Sequence, residues 1–309
     1  MNDSVLSKLS HRLAGHGQAL CAWVTMNEPA VAETLAREAF DAVVLDMQHG
    51  AIDFDGATRS ILSVALAGKP TIARVPIGAF ALASQLVDSG ACGILAPMID
   101  TGEDARRLVE SVKFPPLGQR SWGPRAALPL SGLDASAYLK AANGMTQAIA
   151  MIETRAALDA LDDILSVEGL DGVYVGPSDL SIALSNGASV EPRGAAVMSE
   201  ARRVVERAKA HGKYAAMFCF DGADARAMQA LGFQLCTISS DQTLLRGVAR
   251  ANSPQRAPDE LKVAGRHWKN PFEYQYIVGA EVAGRGRCGG VQLTVPEPSL
   301  TRAFAGTTG

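Results

Sequence analysis

Eight short apolar runs follow one another between residues 19 and 241, and each is followed by a polar turn and an amphipathic segment. The runs are continuously apolar rather than alternating, which is typical of strands that are buried on both faces of a parallel sheet. Eight strand-then-helix units predict an α/β fold of the (β/α)8 or TIM barrel type. A doubly wound open sheet is the alternative, but no G-x-G-x-x-G motif follows the first run. The predicted strands are residues 19–25, 42–48, 70–76, 93–99, 146–153, 172–177, 214–220 and 234–241.

The amphipathic segments predict one helix after each strand, and an extra helix at 194–210 after unit six. Residues 114–143 are rich in Pro, Gly and Ser and are too long for a tight connection, so we interpret them as an active-site loop. The strand–helix pattern is lost after Asn252. The sequence therefore predicts a barrel domain at 1–251 and an irregular C-terminal extension of unknown role at 252–309. The predicted barrel helices are residues 31–40, 55–67, 79–88, 102–112, 155–165, 178–184, 223–231 and 242–251.

Composition excludes several classes of protein. The net charge of −3 and the sequence pI of about 6.0 argue against a nucleic-acid-binding surface, which would show a basic excess. No apolar run approaches the ~18 residues of a membrane helix, and the N-terminus lacks the apolar segment of a secretory signal. The five cysteines form no C-x-x-C pair and are expected to be reduced thiols. These features predict a cytoplasmic protein.

Five chemically competent side chains stand at the carboxyl ends of four predicted strands. Asp46 and His49 end unit two, Arg74 ends unit three, Glu153 ends unit five and Asp179 follows unit six. Catalytic groups of a barrel come from these strand ends, so the five should meet at one mouth. Each alone could be a helix cap, a structural ion pair or a turn residue. Their convergence favours an active site, although a structural ion network is the alternative.

The residue types indicate the chemistry. Glu153 and Asp179 are hard oxygen ligands suited to Mg²⁺ or Mn²⁺, while the scarcity of Cys and His disfavours structural zinc. Arg74 is a permanent cation that suits a developing oxyanion. His49 titrates near neutral pH and can move a proton, and Asp46 can orient its imidazole.

The turn after strand six forms a further part of the predicted site. It reads Gly176-Pro177-Ser178-Asp179, with Ser178 predicted as the N-cap of the next helix. The backbone N–H groups of this turn are expected to bind the carboxylate of a substrate. Because Lys69 and Lys213 precede their strands, no lysine is placed to form a Schiff base, so the sequence favours metal-assisted chemistry.

Six motifs, in a fixed order, resemble those of the HpcH/HpaI family of metal-dependent class II pyruvate aldolases. The resemblance spans about residues 20 to 251. The motifs are V-L-D-M-Q-H-G (44–50), A-R-V-P (73–76), G-A-C-G-I-L-A-P (90–97), G-Q-R-S-W-G (118–123), I-E-T (152–154) and G-V-Y-V-G-P-S-D-L-S (172–181).

The resemblance implies an aldolase that cleaves or forms 4-hydroxy-2-oxo acids, from pyruvate or a related 2-oxo acid and an aldehyde, through a metal-stabilised enolate. It implies Glu153 and Asp179 as ligands of Mg²⁺, Mn²⁺ or Co²⁺. Arg74 would bind the keto or enolate oxygen, and His49 with Asp46 would be the acid/base pair. It also implies a homohexamer built from dimers that exchange their last helix, with Asp88 contributing from a neighbouring subunit.

Two features depart from the family pattern. Met151 stands where many relatives carry Gln two residues before the metal-binding Glu, and the family motifs do not account for the segment after Asn252. Two other functions are open at this point. One is a citrate-lyase-β-like enzyme acting on CoA thioesters, for which no nucleotide-accommodating surface is evident. The other is a non-catalytic barrel that binds a 2-oxo acid, which would not require both His49 and Arg74.

Overall fold

The computed structural model describes residues 4–14 and 17–253, together with the backbone of residues 261–263 and 266–268. Eight parallel strands close into a barrel in sequence order, and the last pairs with the first through Ala19 opposite Leu235. The predicted (β/α)8 fold is therefore confirmed. The barrel strands are β1 (Ala19–Val24), β2 (Ala42–Asp46), β3 (Thr71–Arg74), β4 (Gly93–Ala96), β5 (Gln147–Ile152), β6 (Gly172–Val175), β7 (Tyr214–Cys219) and β8 (Leu235–Ile238).

The helices alternate with these strands, and several connections carry more than one. The predicted helix at 155–165 is interrupted at Ala160 and forms two short helices. The helices are α1 (Lys8–Leu13), α2 (Pro29–Ala36), α3 (Phe54–Leu66), α4 (Phe80–Asp88), α5 (Gly102–Val112), α6 (Ala127–Ser131), α7 (Ala135–Met145), α8 (Arg155–Asp159), α9 (Leu161–Leu165), α10 (Pro177–Leu184), α11 (Ala195–Ala210), α12 (Gly222–Ala230) and α13 (Asp241–Ala251).

Strand residues are buried on both faces and form two apolar layers. Trp23 and Val44 belong to a cluster that fills the barrel interior, whereas Val24 and Leu45 pack with the surrounding helices. This alternation follows from the two-residue period of a strand. It explains why the sequence shows continuous apolar runs rather than alternating ones.

Polar side chains begin many of the helices at the mouth of the barrel. Asp53, Thr101, Thr154, Asp221 and Ser240 each accept a hydrogen bond from a backbone N–H in the first turn of the following helix. Such a cap stabilises a helix by about 1 kcal/mol because it satisfies a donor that has no partner within the helix.

The amino end of the barrel is closed by a helix that the sequence pattern did not reveal. Leu9 and Leu13 of α1 are buried in the same cluster as Ala19 and Tyr214, which stand at the starts of β1 and β7. With only six residues, α1 is too short to show a clear apolar period.

The interpretation of residues 114–143 as an active-site loop is wrong for the chain's own barrel. The segment joins α5 to β5, and helix-to-strand connections lie at the amino ends of strands, opposite the mouth. Lys113, at its start, bonds to the carbonyl of Thr146 and pairs with Asp171 at 2.7 Å, just before β6. Much of the segment is also helical, since it contains α6 and most of α7.

The predicted extension at 252–309 lies almost entirely outside the described residues. Two short strands, β9 (Leu261–Val263) and β10 (Arg266–Trp268), pair in antiparallel fashion and belong to a unit separate from the barrel. Among the described residues, no helix is long and apolar enough to cross a bilayer.

Asp241 joins the last strand–helix unit to the first, although the sequence analysis placed it at the end of strand eight. Its buried carboxylate accepts hydrogen bonds from Thr25 N–H at 3.0 Å, Thr25 Oγ1 at 2.6 Å and Met26 N–H at 2.9 Å.

We expect Asp241→Ala to lower the free energy of unfolding by about 3 kcal/mol, because buried donors left without a partner cost about 1–3 kcal/mol. Urea denaturation measures the change. Asp221→Ala removes a helix cap that the exposed Asp221 provides, so this control should cost only about 1 kcal/mol. Equal losses in the two variants would contradict a role for Asp241 in closing the barrel.

Candidate active site

The carboxylate of Asp46 and the guanidinium of Arg74 form a buried ion pair at the mouth of the barrel. The two residues end neighbouring strands, β2 and β3, and lie opposite each other in the register. Arg74 Nε donates to Asp46 Oδ1 at 2.9 Å and its Nη2 donates to Oδ2 at 2.6 Å. Burial acts to raise the pKa of Asp46, but the charge and hydrogen bonds of Arg74 outweigh it and lower this pKa below its usual value. Both groups therefore remain charged, and Asp46 fixes the plane of the guanidinium.

Trp23, inside the barrel, completes the surroundings of this pair. Its indole N–H donates to Asp46 Oδ2 at 3.2 Å, and Arg74 Cζ lies 4.8 Å from the centre of its ring. The guanidinium is thus held between a carboxylate and an aromatic face. Two of its five N–H groups serve Asp46, which leaves three that Asp46 does not use.

Asp46 contacts His49 in a way that differs from the expectation. Its Oδ1 accepts the backbone N–H groups of Gln48 at 3.1 Å and His49 at 3.2 Å. Within the described residues, no hydrogen bond joins this carboxylate to the His49 ring. Asp46 therefore fixes the backbone of the loop that carries His49, because its oxygens are already engaged by Arg74 and two N–H groups.

The pKa of His49 is lowered, first by burial and then by the nearby charge of Arg74, while Asp46 and Asp179 oppose the shift. The imidazole is consequently neutral at pH 7. A neutral imidazole can accept a proton from a substrate hydroxyl.

Glu153 is the most strongly perturbed acid of the mouth. It is 3% exposed, and its Oε1 accepts the N–H of Met98 at 2.8 Å. Burial raises its pKa from the usual 4.5 to about 7, and the negative charge of Asp179 adds to this rise. Met98 has a φ of 54°, a left-handed conformation that is uncommon for a residue with a side chain. This backbone geometry aims the Met98 N–H at the carboxylate.

Helix α10 begins two residues earlier than the predicted Ser178 cap would allow. Gly176 is at the N-cap, Pro177 is the first helical residue, and Ser178 lies inside the helix without a capping hydrogen bond. Proline at the first helical position is favourable because its missing N–H has no helical partner there. Asp179 is exposed in the first turn, and the helix N-terminus provides N–H groups that suit an anion.

The charge and donor types of Glu153 and Asp179 fit a divalent cation. The two carboxylates interact electrostatically, and the buried Glu153 lacks a positive partner at hydrogen-bond distance among the described residues. A cation between them would relieve both the repulsion and the burial cost. All the donors are oxygens, which favours Mg²⁺ or Mn²⁺ over a softer metal. No cluster of three or more His, Cys, Asp or Glu is found in the described part of the chain, so water and substrate oxygens would complete the shell.

Asp88 lies away from these groups, at the carboxyl end of α4. Its Oδ1 accepts hydrogen bonds from Arg120 Nε at 3.2 Å and Nη2 at 2.7 Å. Burial raises the pKa of Asp88 despite this partner. Within its own chain Asp88 therefore anchors the 118–123 motif, and its contribution to a neighbouring subunit stays a prediction.

Sequence reasoning missed three residues of the mouth. Trp23 was assigned to a strand without a role, and Met98 acts through its backbone, so its side-chain type carries no signal. Gln48 was part of a recognised motif but received no role. Its Oε1 is buried and has no hydrogen-bond partner among the described residues. A substrate hydroxyl or an ordered water would satisfy that oxygen.

Comparison with known proteins identifies the family. The model of the HpcH/HpaI aldolase/citrate lyase family matches residues 19–247, which is most of the chain. The chain belongs to the HpcH/HpaI family. It is thus a carbon–carbon lyase of the aldolase type. Members of the HpcH/HpaI family generally depend on a divalent metal.

Named relatives agree with this assignment. A hydroxypyruvate/pyruvate aldolase of Rhizorhabdus wittichii is 40% identical over 232 residues, which cover 75% of this chain and 91% of the relative. A 2-keto-3-deoxy-L-rhamnonate aldolase of Salmonella gallinarum is 32% identical over 226 residues, 72% of this chain and 82% of the relative. The crystal structure of an HpcH/HpaI aldolase/citrate lyase family protein from Burkholderia cenocepacia superposes with a TM-score of 0.73 at 29% identity. It covers 81% of this chain and 100% of that one.

Proposed function

We propose that the protein is a metal-dependent class II aldolase of the cytoplasm that cleaves or forms 4-hydroxy-2-oxo acids. The donor would be pyruvate or a related 2-oxo acid, and the acceptor an aldehyde. The observation that carries the proposal is that the buried Glu153 carboxylate interacts electrostatically with Asp179 and has no cation bound to it by a hydrogen bond among the described residues. Arg74, also at the mouth, is already oriented by Asp46. This arrangement suits an enolate, which needs positive charge beside a 2-oxo group.

Glu153 and Asp179 would hold Mg²⁺, Mn²⁺ or Co²⁺, which supplies a Lewis acid that polarises the 2-oxo group. Arg74 binds the same oxygen through the N–H groups not used by Asp46, and so favours the developing negative charge. Gly176 and Pro177 form the turn, and the backbone N–H groups of Ser178 and Asp179 in the first turn of α10 orient the substrate carboxylate, because Pro177 has no N–H and that of Gly176 is donated to the Ile152 carbonyl. The substrate is thereby fixed at two points before any bond breaks.

His49 acts at the other end of the scissile bond. As a neutral imidazole it takes the proton of the C4 hydroxyl while the C3–C4 bond breaks, which releases the aldehyde and leaves the enolate. In the direction of synthesis it returns that proton to the new alkoxide. Asp46 supports this step by holding the backbone of His49.

The donor class follows from the relatives and from Met151. Two relatives carry names that specify hydroxypyruvate or pyruvate and a deoxy sugar acid. In this chain Met151 is buried beside Gly176, so an apolar side chain stands two residues before Glu153. The apolar Met151 offers no polar contact at this position, which supports a small donor such as pyruvate that needs none.

The last barrel helix supports an oligomer. Within α13 only Asp241 is buried, while Leu245 is 55% and Val248 64% exposed. An apolar helix face left in water favours association with another surface. We therefore propose the exchange of α13 between subunits and the homohexamer that the family resemblance implies. Sedimentation velocity tests the oligomer.

The proposed function is tested by two assays on the same preparation. Retro-aldol release of pyruvate from a panel of 4-hydroxy-2-oxo acids, and deuterium exchange of pyruvate methyl protons, should both occur with Mg²⁺, Mn²⁺ or Co²⁺. Both should disappear with EDTA and return when the metal is restored. Full activity in EDTA, or trapping of a substrate adduct by borohydride, would contradict the metal-dependent mechanism.

Arg74→Lys is expected to lower kcat about 10²–10³-fold, because a point charge does not reproduce the planar fork that Asp46 and a substrate oxygen share. Steady-state retro-aldol kinetics measure the change. Arg59→Lys, at an exposed ion pair on α3, is the matched control and should have no effect. A variant of Arg74 within a few-fold of wild type would show that this arginine only supports the fold.

A further inference from the structure

The barrel mouth has an aromatic side on which Phe218 and Phe220 have no role in the proposed chemistry. Trp23, Phe218 and Phe220 form what we call the aromatic strip. The ring centres of Trp23 and Phe218 lie 5.6 Å apart, and those of Phe218 and Phe220 lie 5.7 Å apart, both with edge-to-face geometry. Trp23 is buried, whereas Phe218 and Phe220 are partly exposed. The strip therefore offers an apolar surface at the ends of β1 and β7.

The strip is continuous with the catalytic groups but occupies a different arc of the barrel. Polar site residues come from β2, β3, β5 and the turn after β6, while the strip comes from β1 and β7, the strands on either side of β8. Trp23 is shared, since it donates to Asp46 and stacks on Arg74. A substrate held at its 2-oxo acid end by the polar arc would extend its remaining carbons toward the strip.

Arg193 and Asp224 hold the part of the strip that follows β7. Arg193 Nε donates to Asp224 Oδ1 at 2.8 Å, and its Nη2 donates to Asp224 Oδ2 at 2.5 Å and to the Phe218 carbonyl at 2.8 Å. Arg193 Cζ lies 4.9 Å from the centre of the Phe220 ring. Asp224 also accepts the backbone N–H of Phe220 at 2.9 Å. One ion pair thus fixes the backbone on both sides of Cys219 and one of the rings.

This ion pair differs from the surface pairs of the chain. The Arg193 and Asp224 side chains are 25% and 17% exposed, so solvent screens them less than the pair of Arg207 and Asp162, at 43% and 56%. It also joins two separate elements, because Arg193 ends the loop after α10 and Asp224 lies in the first turn of α12. The bidentate geometry restricts both elements.

We propose that Arg193 and Asp224 are positioning residues for the acceptor aldehyde, holding the aromatic strip against the aldehyde's carbon chain. This inference rests on the proposed aldolase function. Because Asp224 neutralises Arg193, the strip presents apolar faces rather than a free cation. It favours an aldehyde with an apolar chain over one that carries a second carboxylate.

The test compares Arg193→Gln, Arg193→Lys and Asp224→Asn with a control. The control is Arg207→Gln on α11, which breaks the exposed ion pair with Asp162. Each protein is assayed as the Mn²⁺-loaded full chain. The readouts are KM and kcat for pyruvate addition to butanal, hexanal and glyoxylate, and the rate of pyruvate methyl deuterium exchange without aldehyde.

We expect Arg193→Gln and Asp224→Asn to raise KM for butanal and hexanal about tenfold, since small displacements of contact groups weaken positioning strongly. Exchange, glyoxylate addition and the control should stay near wild type, and Arg193→Lys should recover part of the loss. Unchanged KM values for both apolar aldehydes, or an equal loss of exchange and addition, would overturn the inference. Wild-type protein inactive in both assays with every metal would instead contradict the proposed function.

Discussion

His49→Ala is expected to lower kcat for retro-aldol cleavage about 10²–10⁴-fold, the usual contribution of general acid–base catalysis. In the proposed mechanism, the neutral imidazole of His49 accepts the C4 hydroxyl proton. Metal affinity and thermal stability should hardly change, because the backbone N–H of His49, which Asp46 binds, is kept in the variant.

Deuterium exchange of pyruvate distinguishes this role from a purely structural one. Exchange involves no C4 hydroxyl, so it should fall less than cleavage in His49→Ala. His211→Ala is the matched control, since His211 pairs with Asp162 on the surface at 3.2 Å. If cleavage and exchange both stay near wild type, His49 only shapes the turn before Gly50.

Glu153→Gln is expected to abolish metal-dependent turnover and, at the same time, to make the metal-free protein more stable above pH 7. The raised pKa of Glu153 means that the fold disfavours its ionised form. The contribution of Glu153 to the free energy of unfolding is therefore fully present below pH 4.5, where the side chain is protonated, and is lost as the pH rises through about 7. Raising a pKa from 4.5 to about 7 corresponds to about 3 kcal/mol, an upper bound for the gain.

Urea denaturation in EDTA at pH 4.5 and pH 8 measures this effect. The free energy of unfolding of wild type should fall between the two pH values by more than that of Glu153→Gln. Mn²⁺ should stabilise the wild type at pH 8 and leave the variant unchanged. Glu110→Gln, at an exposed glutamate on α5, is a suitable control. A variant less stable than wild type at pH 8 would mean that the carboxylate of Glu153 supports the fold rather than opposing it.

The barrel and the convergence of the five site residues were predictable from sequence because parallel strands present their carboxyl ends at one edge. Which of these side chains would hydrogen-bond to one another was not predictable from the sequence. Asp46 lies three residues before His49, which suggested a contact with its ring, yet the carboxylate is taken by Arg74 across the strand register. Side-chain competition of this kind depends on distances that sequence spacing does not contain.

Two further errors have simple physical causes. Ser178 is a good N-cap by type, but Pro177 can begin a helix itself, and this moved the cap to Gly176. The segment 114–143 was judged by its length and composition alone. Its place after a helix, and not after a strand, already assigns it to the amino end of the barrel.

The absence of a side chain at Gly176 leaves room for the carboxylate of Glu153. The φ of −87° at Gly176 is accessible to any residue, so the backbone does not demand glycine. A Cβ there would lie 2.5 Å from Glu153 Oε2, and 3.2 Å from both Glu153 Cβ and Met151 Cε. A methyl group at 176 therefore requires the Glu153 carboxylate, at the end of a flexible side chain, to move from its present position. Alanine at 176 would thus alter the candidate metal site through the position of Glu153, although neither Glu153 nor Asp179 is itself replaced.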